Sequence, residues 1–280
     1  MIHKPVLLNE TIRMLNITEQ GQYLDCTGGF GGHSSAILEK LQGGHLYITD
    51  MDKYAYDYLL KKFGSEENVT VMHMNYKNFR TERPLNGILL DLGISSYHVD
   101  KPERGFSFRT DAPLDMRMNR TSPFSLIQWI KQTDVPDIAW VIEQYSDEKR
   151  AMDIAKAIKR RANKDNMNTT FDLKDAVIEG TGGRGVKYSL RRVFQALRIM
   201  TNDEINNLNQ FLERVPSLLK SEGRLAVLTY HSIEDRTVKH TLRNMKNMRI
   251  INKRVIKPHY TEIKNNKRAR SAHLRGAERV

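Results

Sequence analysis

An α/β fold, a doubly wound parallel sheet interrupted by an all-helical domain, is predicted by three observations on this 280-residue chain. Tyr23 to Leu41, YLDCTGGFGGHSSAILEKL, reads as strand, glycine turn and helix. A short apolar entry meets Asp25, glycines stand at 28, 29, 31 and 32, and Ala36, Ile37, Leu38 and Leu41 recur at helical spacing. GGHLYITDMD then places a second strand, His45 to Thr49, ending at Asp50 and Asp52. That is about the twenty-residue offset at which a carboxylate meets ribose hydroxyls, so the first half is Rossmann-like. Finally, strand–helix alternation stops near Lys101, gives way to roughly ninety residues of helical periodicity, and resumes near the C-terminal third.

Taken in order, HKPVLLNETIRMLNI carries Ile12 and Leu15 in helical register behind Val6, Leu7 and Leu8, with Asn9 as the expected cap. Its charges are mixed and it lacks an apolar stretch of secretory length, so no signal or transit peptide is read and the expected compartment is the cytoplasm. In the glycine turn, positive φ and close backbone approach suit a nucleotide-like ligand, because the next helix presents unpaired N–H groups. The same glycines would equally serve a tight turn before a core helix. Tyr54 to Phe63 follows as a helix and 69–76 alternates as a third strand. In NGILLDLGISS (86–96), Ile88, Leu89 and Leu90 are apolar on both faces, as in a central parallel strand, and Asp91 stands at the carboxyl end where ligands of open α/β sheets bind.

From Lys101 the chain is too rich in charge and turn residues for another strand–helix unit. Arg104, Arg109, Arg117 and Arg120 alternate there with Phe106, Phe108, Met116 and Met118. Phosphate-holding arginines beside stacking rings suit a single-stranded nucleic acid, although part of such a cluster is ordinarily core. Helical spacing at Ile127/Ile130, Ile138/Val141/Ile142, Ile154/Ala155/Ile158 and Leu173/Val177 continues to the glycine-rich TGGRGVKYS. The expected boundaries are residues 1–101 and 191–280 for the core, with a basic C-terminal tail, and 102–190 for a helical insertion that recognises the substrate. The α/β pattern resumes with a helix over Phe194 to Val215 and a strand in EGRLAVLTYHS (222–232). The following YHSIEDR holds Ser, His and Asp, but hydrolase triads are assembled from separate segments around a shaped nucleophile turn, and none is visible. Ser232 with Asp235 reads instead as a helix start or part of a substrate pocket.

The formal net charge is +12 and the pI about 9.7. Eleven Lys/Arg against Glu262 and Glu278 fall between Lys246 and Val280, so a polyanion, nucleic acid first, is the expected partner. No apolar run is long enough to span a bilayer, and the basic end lacks a strong apolar face for a membrane surface. The single cysteine, Cys26, excludes an internal disulfide and reads as a small buried filler; no Cys/His group has zinc spacing, so no metal is expected. NAD and S-adenosylmethionine both present an adenosine to such a half-domain. The basic surplus favours the methyl donor, since a small-molecule dehydrogenase has no evident use for it.

HKPVLLNE, DCTGGFGGHS, LLDLGISS, RGFSFRTDAPLDMRM, FQALRI, YHSIEDR and RSAHLR, in this order and spacing, resemble the RsmH (MraW) family nearly end to end. The resemblance implies a Rossmann-like S-adenosylmethionine methyltransferase core with an inserted all-helical domain. It implies methylation of the N4 amine of one cytidine in the decoding centre of 16S ribosomal RNA, with small-subunit ribosomal RNA or the 30S subunit as partner and room for a homodimer. Cofactor contacts then fall on Gly31, Gly32, His33, Asp50, Tyr76, Asp91 and His98, the last standing where the family usually has Gln. Ala112 replaces the usual Gly, and Tyr188-Ser189 the usual His-Pro. The cytosine N4 lone pair is delocalised into the ring, so the amine needs an acceptor for its N–H before it attacks the sulfonium methyl. Asp91 is either that acceptor or a cofactor holder, with Ser95 and Ser232 as further catalytic candidates. Arg104, Arg109, Arg117, Lys267, Arg268 and Arg270 are the expected RNA contacts. The rival readings are an RNA-binding assembly factor with a vestigial pocket and an NAD-linked oxidoreductase; titration with the two cofactors separates the enzymes.

Overall fold

Strand and helix alternate from the start of the computed structural model, which describes residues 4–280; His3 of the N-terminal motif lies outside them. The order is α1 (Leu8–Leu15), β1 (Gln22–Asp25), α2 (Gly32–Leu38), β2 (His45–Asp50), α3 (Lys53–Phe63), β3 (Val69–His73) and β4 (Leu85–Asp91). Helices alone follow: α4 (Ser96–Asp100), α5 (Leu126–Gln132), α6 (Val135–Ser146), α7 (Ala151–Ala162), α8 (Thr170–Gly180) and α9 (Val186–Thr201). The chain then returns to α10 (Glu204–Leu218), β5 (Leu219–Thr229), α11 (Ser232–Asn244), β6 (Met248–Ile250), α12 (Tyr260–Asn265) and β7 (His273–Arg279).

The seven strands form one sheet in the order β3-β2-β1-β4-β5-β7-β6. Strands β1 to β5 are parallel, whereas β7 runs antiparallel to both β5 and β6. Side chains alternate along each strand, so consecutive apolar residues feed opposite faces. Leu24, Ile88, Leu90, Leu225 and Val227 enter one core with Phe211 and Val215 of α10 and Val238 of α11. Tyr23, Leu89, Ala226 and Leu228 enter the other with Leu15 of α1, Ile37 of α2 and Leu59 of α3. Both faces are covered, which is why β4 is a continuous apolar run.

Three expectations are corrected. Asn9 lies inside α1; the cap is Leu7, held at φ 50° with its N–H donating to Glu262 Oε1 at 2.8 Å. The chain divides at Gly93/Ile94 and Glu204/Ile205, not at 101/102 and 190/191. The second shift has a plain cause: α9 is one uninterrupted helix, and its Val193 and Leu197 are fully buried, so FQALRI belongs to the helical unit. The basic tail is no tail, because β7 lies between β5 and β6 with Leu274 and Ala277 fully buried. Part of its charge serves the sheet. Arg275 donates to both oxygens of Asp235 at 2.9 Å, and Glu278 receives Arg224 at 3.0 Å and also Arg249.

The helical unit, Ile94–Glu204, has its own core of Ile142, Ile154, Ala155, Ile158, Leu173, Val177, Val193 and Leu197. The loop at 104–120 is knitted into it. Asn202 Oδ1 accepts the Met118 N–H at 2.7 Å and Asn202 Nδ2 donates to the Met116 carbonyl at 2.8 Å, while Phe106, Leu114, Met116 and Met118 are buried.

Leu274→Ala should cost about 2–5 kcal/mol, the range for truncating a fully buried leucine. Denaturant unfolding of the variant checks this; a solvated tail would tolerate the change without loss.

Candidate active site

Carboxylates gather where β1, β2 and β4 end. Asp25 closes β1 and is 1% exposed; its Oδ2 accepts the Ser34 hydroxyl at 2.6 Å and its Oδ1 the Thr27 N–H at 3.1 Å. Burial pushes its pKa up, and those bonds with nearby His33 pull it partly back. Asp50 closes β2. Its Oδ2 accepts the Gly29 N–H at 2.9 Å and its Oδ1 the Asp52 N–H at 2.8 Å. Asp52 in turn caps α3 by accepting from Tyr54 N.

The glycines explain how the turn reaches Asp50. Gly29 and Gly31 sit at φ 53° and 69°, and a Cβ on Gly31 would strike the Phe63 ring at 2.5 Å. A Cβ on Gly29 would meet nothing closer than the Thr27 carbonyl at 3.8 Å, so one side of the turn faces open space. The turn thus lies open on one side at Gly29, beside the Asp50 carboxylate.

Asp91 closes β4. Its Oδ1 accepts the Tyr230 hydroxyl at 2.7 Å, and its Oδ2 faces His33 Nδ1 at 3.5 Å. The opposite nitrogen of His33 donates to the Val6 carbonyl at 3.0 Å, because a carbonyl can only accept. Nδ1 of a neutral His33 is therefore the bare nitrogen, and one proton suits both it and Asp91. Burial pushes Asp91 up to about 7 despite the Tyr230 bond, with Glu234 adding repulsion. Burial lowers His33 and raises Tyr230, the latter also because Asp91 lies beside it. Glu234, buried in the first turn of α11, accepts the Tyr230 N–H at 2.9 Å and lies 2.9 Å from His231 Nε2.

Other expected site residues are placed as follows. Gly31 and Gly32 form the start of α2. Tyr76 follows β3 and packs edge-on against Phe211 at 5.1 Å. Ser95 and His98 belong to the helical unit, where His98 Nδ1 accepts the Ser95 N–H at 3.2 Å and closes a capping box on α4; the His98 ring rests on Phe106. Ser232 is exposed, and α11 is capped by His231, not by Ser232. Asp235 is taken by Arg275.

The arginine loop divides. Arg104 is buried, its Nη2 donating to the Arg117 and Met118 carbonyls at 3.0 and 2.9 Å, so its guanidinium is a staple of the loop and not a phosphate contact. Arg117 pairs with Asp115 and donates to the Ser122 carbonyl at 2.6 Å. Arg109, Lys267, Arg268 and Arg270 are exposed. Sequence reasoning missed Tyr230, Thr27, Ser34 and Glu234. Tyr230 lies just past the end of β5, two residues beyond the Leu228 that pairs with Asp91, and the available signal was a tyrosine directly after the last parallel strand.

The MraW methylase family model matches residues 1–280. The chain belongs to the MraW methylase family. Among curated relatives of this MraW methylase chain, the Ribosomal RNA small subunit methyltransferase H of Ruthia magnifica subsp. Calyptogena magnifica is 40% identical over 302 residues, covering 99% of this chain and 98% of the relative. The protein of the same name from Mycoplasma genitalium is 37% identical over 298 residues, with 98% and 96% covered. A solved structure from Clostridium thermocellum shares the fold over all of both chains, at a TM-score of 0.50 and 12% identity. Membership in a methylase family disfavours both the oxidoreductase and the vestigial-pocket readings. The cofactor of an MraW methylase is S-adenosylmethionine, and the residues present fit it: Asp50 for a diol, open space on one side of the glycine turn at Gly29, and the Asp25 and Asp91 carboxyls for a cationic sulfonium.

Because Asp91 is raised from 3.8 to about 7, the folded chain holds a proton that the unfolded chain releases, and stability is lost as pH rises between those values. Asp91→Asn should therefore match the wild type near pH 4 and exceed it in melting temperature by pH 8. A difference that does not grow with pH would show that Asp91 is not strained.

Proposed function

We propose that this chain methylates small-subunit ribosomal RNA at the N4 amine of one cytidine in the decoding centre of 16S RNA. The array of Asp25, Asp50 and Asp91 at one sheet edge, beside an open glycine cradle, carries the chemistry of this reading. S-adenosylmethionine, when bound, supplies the electrophilic methyl group.

The chain's own residues supply the rest. Asp50 holds the ribose hydroxyls, already fixed by the Gly29 and Asp52 N–H groups. Backbone of Gly31 and Gly32, with His33, Tyr76 and Asp91 as the resemblance implies, completes the core's cofactor contacts. Asp91 accepts the amine N–H and receives the proton that the amine must lose. Tyr230 favours the carboxylate form by donating to Oδ1, which leaves Oδ2 to act. No metal enters this scheme, since the sulfonium is itself the electrophile. Ser95 serves the capping box of α4 in this scheme, and Ser232, exposed at the start of α11, stays a candidate for the substrate side. The helical unit selects the RNA, with exposed Arg109 as its contact, and Lys267, Arg268 and Arg270 hold phosphates from the core.

Asp50→Ala should weaken S-adenosylmethionine by about 1–3 kcal/mol, the worth of hydrogen bonds to a charged group. Isothermal titration decides, and unchanged affinity in the folded variant removes Asp50 from the site. Mass mapping of small-subunit RNA from cells with and without the gene tests the reaction, and an unaltered cytidine pattern would overturn it. Replacing Lys267 and Arg270 with Ala should flatten the salt dependence of RNA binding without changing cofactor affinity.

A further inference from the structure

The outer face of α3 sets two exposed tyrosines beside a surplus of lysines, with Lys53, Lys61 and Lys62 against Asp57, which Lys53 pairs. Tyr54, Tyr58, Lys61 and Lys62 recur at i, i+4, i+7 and i+8, so they share one stripe. Tyr54 is 47% and Tyr58 42% exposed, although the opposite side of α3 already buries Ala55, Leu59 and Phe63. Phe30 of the glycine turn meets both tyrosines edge-on, with centroids 6.4 and 5.1 Å away. Lys62 Nζ donates back to the Phe30 and Gly31 carbonyls at 3.4 and 3.2 Å. The stripe is thus fastened to the turn that forms the cofactor cradle. It ends at Gly64, beyond which Glu66 and Glu67 are exposed, so the positive stretch has a definite limit.

Flat amphipathic rings held at a fixed angle, with ammonium groups alongside, match the chemistry of single-stranded nucleic acid. Bases stack on such rings without regard to sequence, and the lysines neutralise phosphate. A purely apolar partner would strip water from the Lys61 ammonium without offering it an acceptor. We propose that the Phe30–Tyr54–Tyr58 face of the core, with Lys61 and Lys62, binds the unpaired ribosomal RNA flanking the target base. This rests on the reading that small-subunit RNA is the substrate. It gives the core a second RNA contact besides Lys267, Arg268 and Arg270.

The full-length chain is titrated with an unmodified 16S ribosomal RNA transcript at several salt concentrations, and separately with S-adenosylmethionine. Tyr54→Ala with Tyr58→Ala should weaken RNA binding about tenfold or more, and phenylalanine at both positions should restore it. Lys61→Ala should reduce the salt slope by about 0.7, the value for one phosphate on a single strand. Cofactor affinity should hold in all of these. If the double alanine variant loses the cofactor as well, Tyr58→Ala alone, which leaves Tyr54 beside the turn, decides by the same criterion. Unchanged RNA affinity beside a wild type that binds overturns the proposal. So does conversion of a wild-type dimer to monomers with RNA affinity retained, since a second copy then covers the face. A wild type that does not bind the transcript overturns the substrate reading, and this face with it.

Discussion

Buried carboxyl groups at the end of a parallel sheet are the constraint from which the rest of the core follows. Ionised carboxylates away from water are costly unless donors surround them. Here the donors are neutral: Ser34 and Thr27 for Asp25, two backbone N–H groups for Asp50, and the Tyr230 hydroxyl for Asp91. Each arrangement dictates a piece of chain. The Gly29 N–H reaches Asp50 only from a positive-φ turn, which in turn sets where α2 begins. The Tyr230 hydroxyl reaches Asp91 because β5 pairs in register with β4 and ends one residue before Tyr230.

The satisfaction is incomplete, and function lies in the shortfall. Asp91 retains a pKa near 7, and the His33 nitrogen that faces it belongs to a ring which burial keeps neutral. A site in this condition gains from a cationic ligand that the free protein lacks. Sites of this kind trade stability for activity.

The positive charge of the chain follows a similar division. Arg224, Arg249 and Arg275 neutralise Glu278 and Asp235 across the reversed end of the sheet, and Arg104 holds backbone carbonyls inside the helical unit. Only the remainder faces outward for a polyanion. Net charge therefore indicated the class of partner correctly but could not tell which arginines were free to meet it, because a guanidinium serves a buried carboxylate as readily as a phosphate.

The sequence by itself determined the strand–turn–helix at Tyr23 to Leu41, the central strand ending at Asp91, the helical block, and the family through motifs spread along the whole chain. These are local in cause: glycine permits the turn, apolar period separates strand from helix, and strand ends fix the ligand edge. Tertiary structure decided what depends on neighbours distant in sequence. Tyr230 meets Asp91 across 139 positions, α9 joins the helical unit through its buried face, and β7 turns an apparently solvated basic end into an interior strand. HLRGAER carries too few apolar residues to announce a strand, and it becomes one because β5 and β6 offer hydrogen bonds on both sides, Asp235 takes up the charge of Arg275, and Arg224 and Arg249 take up that of Glu278.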